Sequence, residues 1–184
     1  MKTMKLLQKK QQRTLGAIIL IPLEDGFHTY GRILQGASYV FYDCRTKEDI
    51  TDLNFIISSP VLFITAVYDN VIISGQWAKI GKLPLEEKFN ILPPRFIQDA
   101  FHKDKFRIVY QDRTEKEVSI EECEGLERFM VWEGANIEKR LSDYYAGRKT
   151  QVVGEKINPD PMRNDSRKTI YSKKNLTLAN RKMA

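Results

Sequence analysis

The residues able to do chemistry are few, and most stand apart from one another. Glu121, Glu122, Glu124 and Glu127 crowd together, and Asp43 closes a run of aromatics. Neighbouring carboxylates can divide acid and base roles between them, but here the spacing has a structural account. Ser119-Ile120-Glu121-Glu122 reads as a capping box that opens a helix, with Glu121 and Glu122 in the first turn, where negative charge suits the helix dipole. Glu124 and Arg128 are four apart and can pair across one turn. Glu127 falls on or near the apolar face set by Ile120, Cys123 and Leu126. That leaves it either buried with Arg128 or Arg140, or turned toward a partner. Structural ion pairs perturb carboxylates as catalytic sites do, so an enzyme using Glu127 or Asp43 has no positive support. Asp43 beside Tyr42 caps a turn or contacts a ligand.

The remaining candidates are thin. His28 and His102 leave little for a metal or a histidine-dependent mechanism. Cys44 and Cys123 stand far apart, outside any zinc spacing or disulfide framework. Gly81-Lys82 is followed by Leu83 rather than Ser or Thr and lacks the spacing of a phosphate loop. No catalytic residue, metal or cofactor is therefore expected. Tyr30, Tyr39 and Tyr42 alternate with apolar residues. They form either an exposed aromatic platform for nucleic acid or protein, or one half-buried face of a sheet.

The elements that must position these residues follow from periodicity. Leu15 to Pro22 reads as a strand, Asp25-Gly26 as a type I′ hairpin turn, Phe27 to Leu34 as the return strand and Ser38 to Asp43 as a third. This is an antiparallel meander suited to a small, strongly curved sheet, open or barrel-like. Arg45 to Asp52 can hold one helical turn. Val61 to Val67 is a near-continuous apolar run, hence a central strand, and with Val71 to Gln76 it reads as a second hairpin. Trp77 then stands between Gly75 and Gly81 and is expected to plug the core, as is Trp132. Leu85 to Asn90 and Arg95 to His102 are short helix candidates. Phe106 to Tyr110 alternates like an edge strand, returning near Glu117-Val118. The helix from Ser119 and a second, capped by Asn136 with Ile137 and Leu141 on one face, complete the domain. The expected fold class is thus α+β: a strongly curved antiparallel sheet with two C-terminal helices packed on it.

The chain has 184 residues and a net charge of +6, but that charge is unevenly spread. Residues 1–14 carry five basic and no acidic side chains, and residues 151–184 carry eight basic and three acidic ones. Residues 15–150 carry 17 basic and 21 acidic. The pattern divides the chain into a basic leader (1–14), a mildly acidic domain (15–147) and a basic, polar tail (148–184) of disordered composition. A nucleic-acid-binding domain more often holds its positive charge on the folded part. The apolar run Leu15 to Leu23 follows basic residues like a signal peptide. Pro22, Glu24-Asp25 and the missing small-residue cleavage site argue instead for a buried strand, and the run is too short to span a bilayer. A cytoplasmic protein without membrane contact is expected.

Several motifs in order resemble the immunity protein 26 family of bacterial polymorphic toxin systems. They are Leu23-Glu24-Asp25-Gly26 with Tyr30; Phe41-Tyr42-Asp43; Val61-Leu62-Phe63; Gly75-Gln76-Trp77 with Ile80-Gly81-Lys82-Leu83-Pro84-Leu85; Gly125-Leu126-Glu127; and Trp132 leading to Ile137-Glu138-Lys139-Arg140. The resemblance spans roughly residues 14–145. It implies a cytoplasmic antidote that binds a cognate toxin domain and blocks it without turnover or cofactor. Many targets of such proteins are basic nucleases, which a mildly acidic domain would complement. Tyr30, Asp43, Lys82 and Glu127 are the contact candidates. The alternative is a nucleic-acid-binding module that uses the sheet aromatics, with the basic termini as clamps.

Overall fold

Strand alternation from Leu15 onward folds as the pattern predicts. The computed structural model describes residues 10–148; the first nine residues and the tail from 149 lie outside the described residues. Strands β1 (Ala17–Pro22), β2 (His28–Ile33) and β3 (Ser38–Tyr42) form an antiparallel meander, with Leu20 opposite Tyr30 and Gly31 opposite Phe41. The first turn is not type I′. Gly26 alone takes positive φ, at +77°, and the amide of Leu23 donates to the carbonyl of Phe27 (2.9 Å). Asp25 stays in ordinary backbone space and uses its carboxylate to accept the Phe27 amide (3.0 Å).

β4 (Val61–Val67) pairs with β3, as an apolar run should. The hairpin expected after it does not form. Asn70–Ile73 is a short helix, α2, and Trp77 leads instead into β5 (Ala78–Lys82), which crosses to the far edge of the sheet beside β1. The amides of Ile72 and Ile73 both donate to the carbonyl of Asp69 (3.0 Å each), so burial of Val71 and Ile72 outweighs their β preference. A two-residue strand, β10 (Val131–Trp132), runs parallel to β4 and completes the order β10-β4-β3-β2-β1-β5.

A second sheet follows Pro84: β6 (Arg95–Gln98), β7 (Phe106–Val109), β8 (Glu115–Val118) and β9 (Glu127–Arg128), ordered β8-β7-β6-β9. Residues 95–98, expected within a short helix, are therefore a strand, and β7, expected at an edge, lies inside. Neither sheet closes on itself, so the single curved or barrel-like sheet is replaced by two open ones. The first sheet does not need to curl to hide its faces. One face is covered by Trp77, Trp132, Ile137 and Leu141, and the other by Ile56, Phe89 and the leucines that flank them. Both tryptophans are buried, as expected.

Among the described residues one C-terminal helix forms rather than two: α3 (Gly134–Tyr145), starting after Glu133 rather than at Asn136. The segment from Ser119 makes only a 3-10 turn over Glu121–Cys123. Half of the capping box is present, because Glu122 reaches back to accept the Ser119 amide (3.0 Å). Gly125 then turns to φ +78° and ends the run. The helical turn expected over residues 45–52 is a loop tied to His28 by a bridge at Thr46, and the helix α1 (Leu53–Ser58) begins just beyond it. Asp52 caps α1 by accepting the Asn54 amide (2.9 Å). We expect Asp52→Ala to lower stability by about 1 kcal/mol, read from the urea midpoint.

Glycine at the start of α3 has a packing reason. A Cβ placed on Gly134 would overlap Cγ1 of Val71 on α2. Gly134→Ala gains helix propensity but overfills that contact, and a net loss of about 1–2 kcal/mol is expected. A melting temperature at or above the parent's would contradict this packing.

Candidate functional site

The four contact candidates sit on different elements and do not converge. Tyr30, on β2, is fully buried. Its hydroxyl accepts the Ile50 amide (2.8 Å) and hydrogen-bonds Nε2 of His28 (3.0 Å). Burial pushes its pKa up, and its role is to tie the 44–50 loop to the sheet. Tyr39 and Tyr42 are equally buried, so the three tyrosines do not form an exposed platform. Asp43 is half-exposed beside a shallow hollow of about 600 Å³ shared with Arg45, Phe55 and Tyr145, and its carboxylate accepts the hydroxyl of Tyr144 (3.1 Å). Lys82 is exposed on the edge strand β5. Glu127, on β9, is largely enclosed and makes two bonds to the Arg140 guanidinium, at 2.9 and 2.6 Å. Of the pairings left open in the sequence, Arg140 is the one realised.

Helix α3 gathers many of the motif residues. Nε1 of Trp77 and Nε2 of Gln76 both donate to Glu138, at 2.7 and 2.8 Å. Arg140 lies 3.9 Å above the ring of Phe63 while gripping Glu127. Tyr144 holds Asp43, and the Tyr145 hydroxyl accepts the Cys44 amide (3.2 Å). Motifs scattered along the sequence thus meet at one helix, and their polar atoms are spent in holding it to the sheet. The thiols are equally quiet. Cys44 and Cys123 are buried and unpaired, burial raises both pKa values, and that of Cys123 is pushed up to about 11. A thiol so placed is a weak nucleophile at neutral pH. Among the described residues no group of three or more His, Cys, Asp or Glu could hold a metal ion, and no helix is long and apolar enough to cross a membrane.

A concave surface of mixed chemistry lies between the two sheets. It is a cleft of about 670 Å³. One wall is the β2–β3 turn with the middle of β4; the other is Arg95 of β6 with the β7–β8 turn; Phe129, Met130 and Val131 form the lip. Two glutamine amides hold the walls in place. Nε2 of Gln35 and of Gln111 both donate to the carbonyl of Asn90 (3.0 and 3.1 Å), and Oε1 of Gln111 accepts the Leu92 amide (2.6 Å). Phe129 is anchored by its amide to the carbonyl of Phe96 (2.7 Å) yet leaves 45% of its surface open. The Arg95 guanidinium lies 4.4 Å from the centre of that ring. Burial lowers the Arg95 pKa, with Glu127, its neighbour on β9, acting in the opposite direction. Arg113 projects from the β7–β8 turn at φ +64°. An exposed aromatic ring beside arginine side chains is in keeping with a binding surface.

Sequence reasoning missed this cleft. Residues 95–102 read as helix, which would not set Arg95 opposite Val109 on a neighbouring strand. Arg95-Phe96-Ile97-Gln98 reads polar–apolar–apolar–polar, without the alternation that would mark a strand.

A family model described as Immunity protein 26 matches residues 14–107, just over half of the chain. No curated protein and no solved structure matches.

Proposed function

From the premise that this chain belongs to the immunity protein 26 family, we propose that it is an antidote that binds a cognate toxin domain and blocks it by direct contact. The family match over residues 14–107 carries this reading. Its chemistry is binding without turnover or cofactor, in the cytoplasm. The two carboxylates are consistent with it: enclosed Glu127 is committed to Arg140, and half-exposed Asp43 is held in place by Tyr144. In this reading Lys82 and Asp43 touch the toxin, while Tyr30 and Glu127 hold the surface in shape. An acidic domain favours a basic partner, a nuclease among them, by speeding encounter and rejecting wrong partners.

The test is a pull-down with the purified protein as bait and, as prey, the C-terminal domain of a secreted protein encoded by the neighbouring reading frame. Capture that survives high salt supports specific contact rather than attraction through the basic ends. No capture overturns the reading. The nucleic-acid alternative loses support from the burial of Tyr30, Tyr39 and Tyr42.

A further inference from the structure

Most arginines in the described residues hold a carboxylate. Arg13 pairs with Asp69, Arg32 with Glu86, Arg45 with Asp25, Arg107 with Glu115, Arg140 with Glu127 and Arg148 with Asp143. Arg95, Arg113 and Arg128 are the exceptions, and the first two line the same cleft. Glu127, the acid that acts on Arg95, already makes two bonds to Arg140. Inside an otherwise acidic domain, the cleft therefore presents two cations that form no ion pair among the described residues. Beside them lie Phe129 and Val131, which are 45% and 37% exposed.

A guanidinium whose neighbouring carboxylate is bonded to another arginine, stacked on an exposed ring and partly withdrawn from water, matches a planar anion that approaches along an apolar lip. The turn adds an independent observation. Tyr110 to Thr114 closes the hairpin through the Arg113 amide to the Tyr110 carbonyl (2.9 Å), and Arg113 takes the left-handed position where glycine is ordinarily favoured. A long cationic side chain stands there against the backbone preference.

We propose that the cleft between the two sheets receives a segment of the cognate toxin in which a carboxylate stands beside an apolar side chain. The carboxylate meets Arg95 and Arg113, and the apolar side chain packs on Phe129 and Val131. The proposal rests on the antidote reading and names the face and the partner chemistry within it. The net acidity of the domain governs long-range approach, whereas these two arginines govern the final local fit.

The experiment titrates full-length protein with the C-terminal domain encoded beside it, by calorimetry. It uses the parent, Arg95→Gln, Arg113→Gly and, as a charge control on the same sheet outside the cleft, Lys116→Gln. A generic single-stranded oligonucleotide is titrated in parallel. The expected result is affinity weakened roughly tenfold or more in each arginine variant and unchanged in Lys116→Gln. Arg113→Gly should also melt about 3 °C higher, because it relieves the left-handed backbone. Arg113 sits on an exposed turn, so this variant remains informative if Arg95→Gln unfolds. Parent-like affinity in the arginine variants, with the parent binding, overturns the cleft proposal and leaves the antidote reading standing. No binding by the parent overturns both. Oligonucleotide binding that disappears in the same variants identifies a nucleic-acid phosphate as the ligand and overturns the carboxylate.

Discussion

Trp77→Ala should cost the fold about 4 kcal/mol, enough to leave a protein of ordinary stability close to unfolding. The side chain is fully buried. Its ring meets Tyr39 and Phe41 edge to face, each at 6.0 Å between centroids. Its indole N–H donates to Glu138 at 2.7 Å. The substitution therefore opens a cavity between the first sheet and α3 and removes a donor from a half-buried carboxylate. Trp77→Phe separates the two effects. It keeps most of the apolar volume and loses only the hydrogen bond, with an expected cost of about 1–3 kcal/mol. Urea denaturation measures both. A loss under about 1 kcal/mol for Trp77→Ala would mean that this tryptophan does not join the sheet to the helix.

Glu127→Gln should cost about 3 kcal/mol, the scale for removing one member of an enclosed ion pair. Arg140 would keep its contacts over Phe63 and Trp132 but would face them as a buried charge without its carboxylate. Replacing both partners with apolar residues, as in Glu127→Leu with Arg140→Met, should restore a large part of the loss, because no charge is then stranded. A double variant as unstable as the sum of the single ones would contradict this explanation. The pair joins β9 of the second sheet to α3, so its loss should also loosen the lip of the cleft, which follows β9 directly in the chain.

The first half of the fold was legible because its information is local. Alternation from Leu15 to Asp43, Asp25-Gly26 between two apolar runs and the apolar stretch of β4 each act on neighbours in sequence. The errors have long-range causes. Val71-Ile72-Ile73 carries β-branched residues, yet it turns into a helix that buries Val71 and Ile72, with Val71 packed where Gly134 leaves room. Ser119 to Glu122 has the letters of a helix start and makes half of its bonds, but Gly125 ends the segment after a single 3-10 turn. Residues 95–98 become a strand through pairing with β7 and β9, which periodicity over so few residues cannot announce.

The contact candidates show the same division. For Glu127 the sequence left Arg128, Arg140 and a partner open, and the pairing with Arg140 comes from β9 meeting α3 rather than from helical spacing. The resemblance marked Trp77 and Glu138 without revealing that they bond to each other. The cleft could not be read at all. Its walls come from a turn near residue 36, the middle of β4, β6 and a turn near residue 112, and only the packing of two separate sheets brings these together.

An antidote of the proposed kind inhibits by occupying its partner rather than by changing it. The most direct test is to titrate the purified protein against a fixed amount of the cognate toxin domain and to follow the remaining toxin activity to completion. Inhibition by occupancy gives a linear fall that ends at a fixed stoichiometry, and full recovery of toxin activity when the complex is separated under denaturing conditions and the toxin domain is refolded. Inactivation by far less than one equivalent, or toxin that stays inactive after separation, would contradict it and point to turnover.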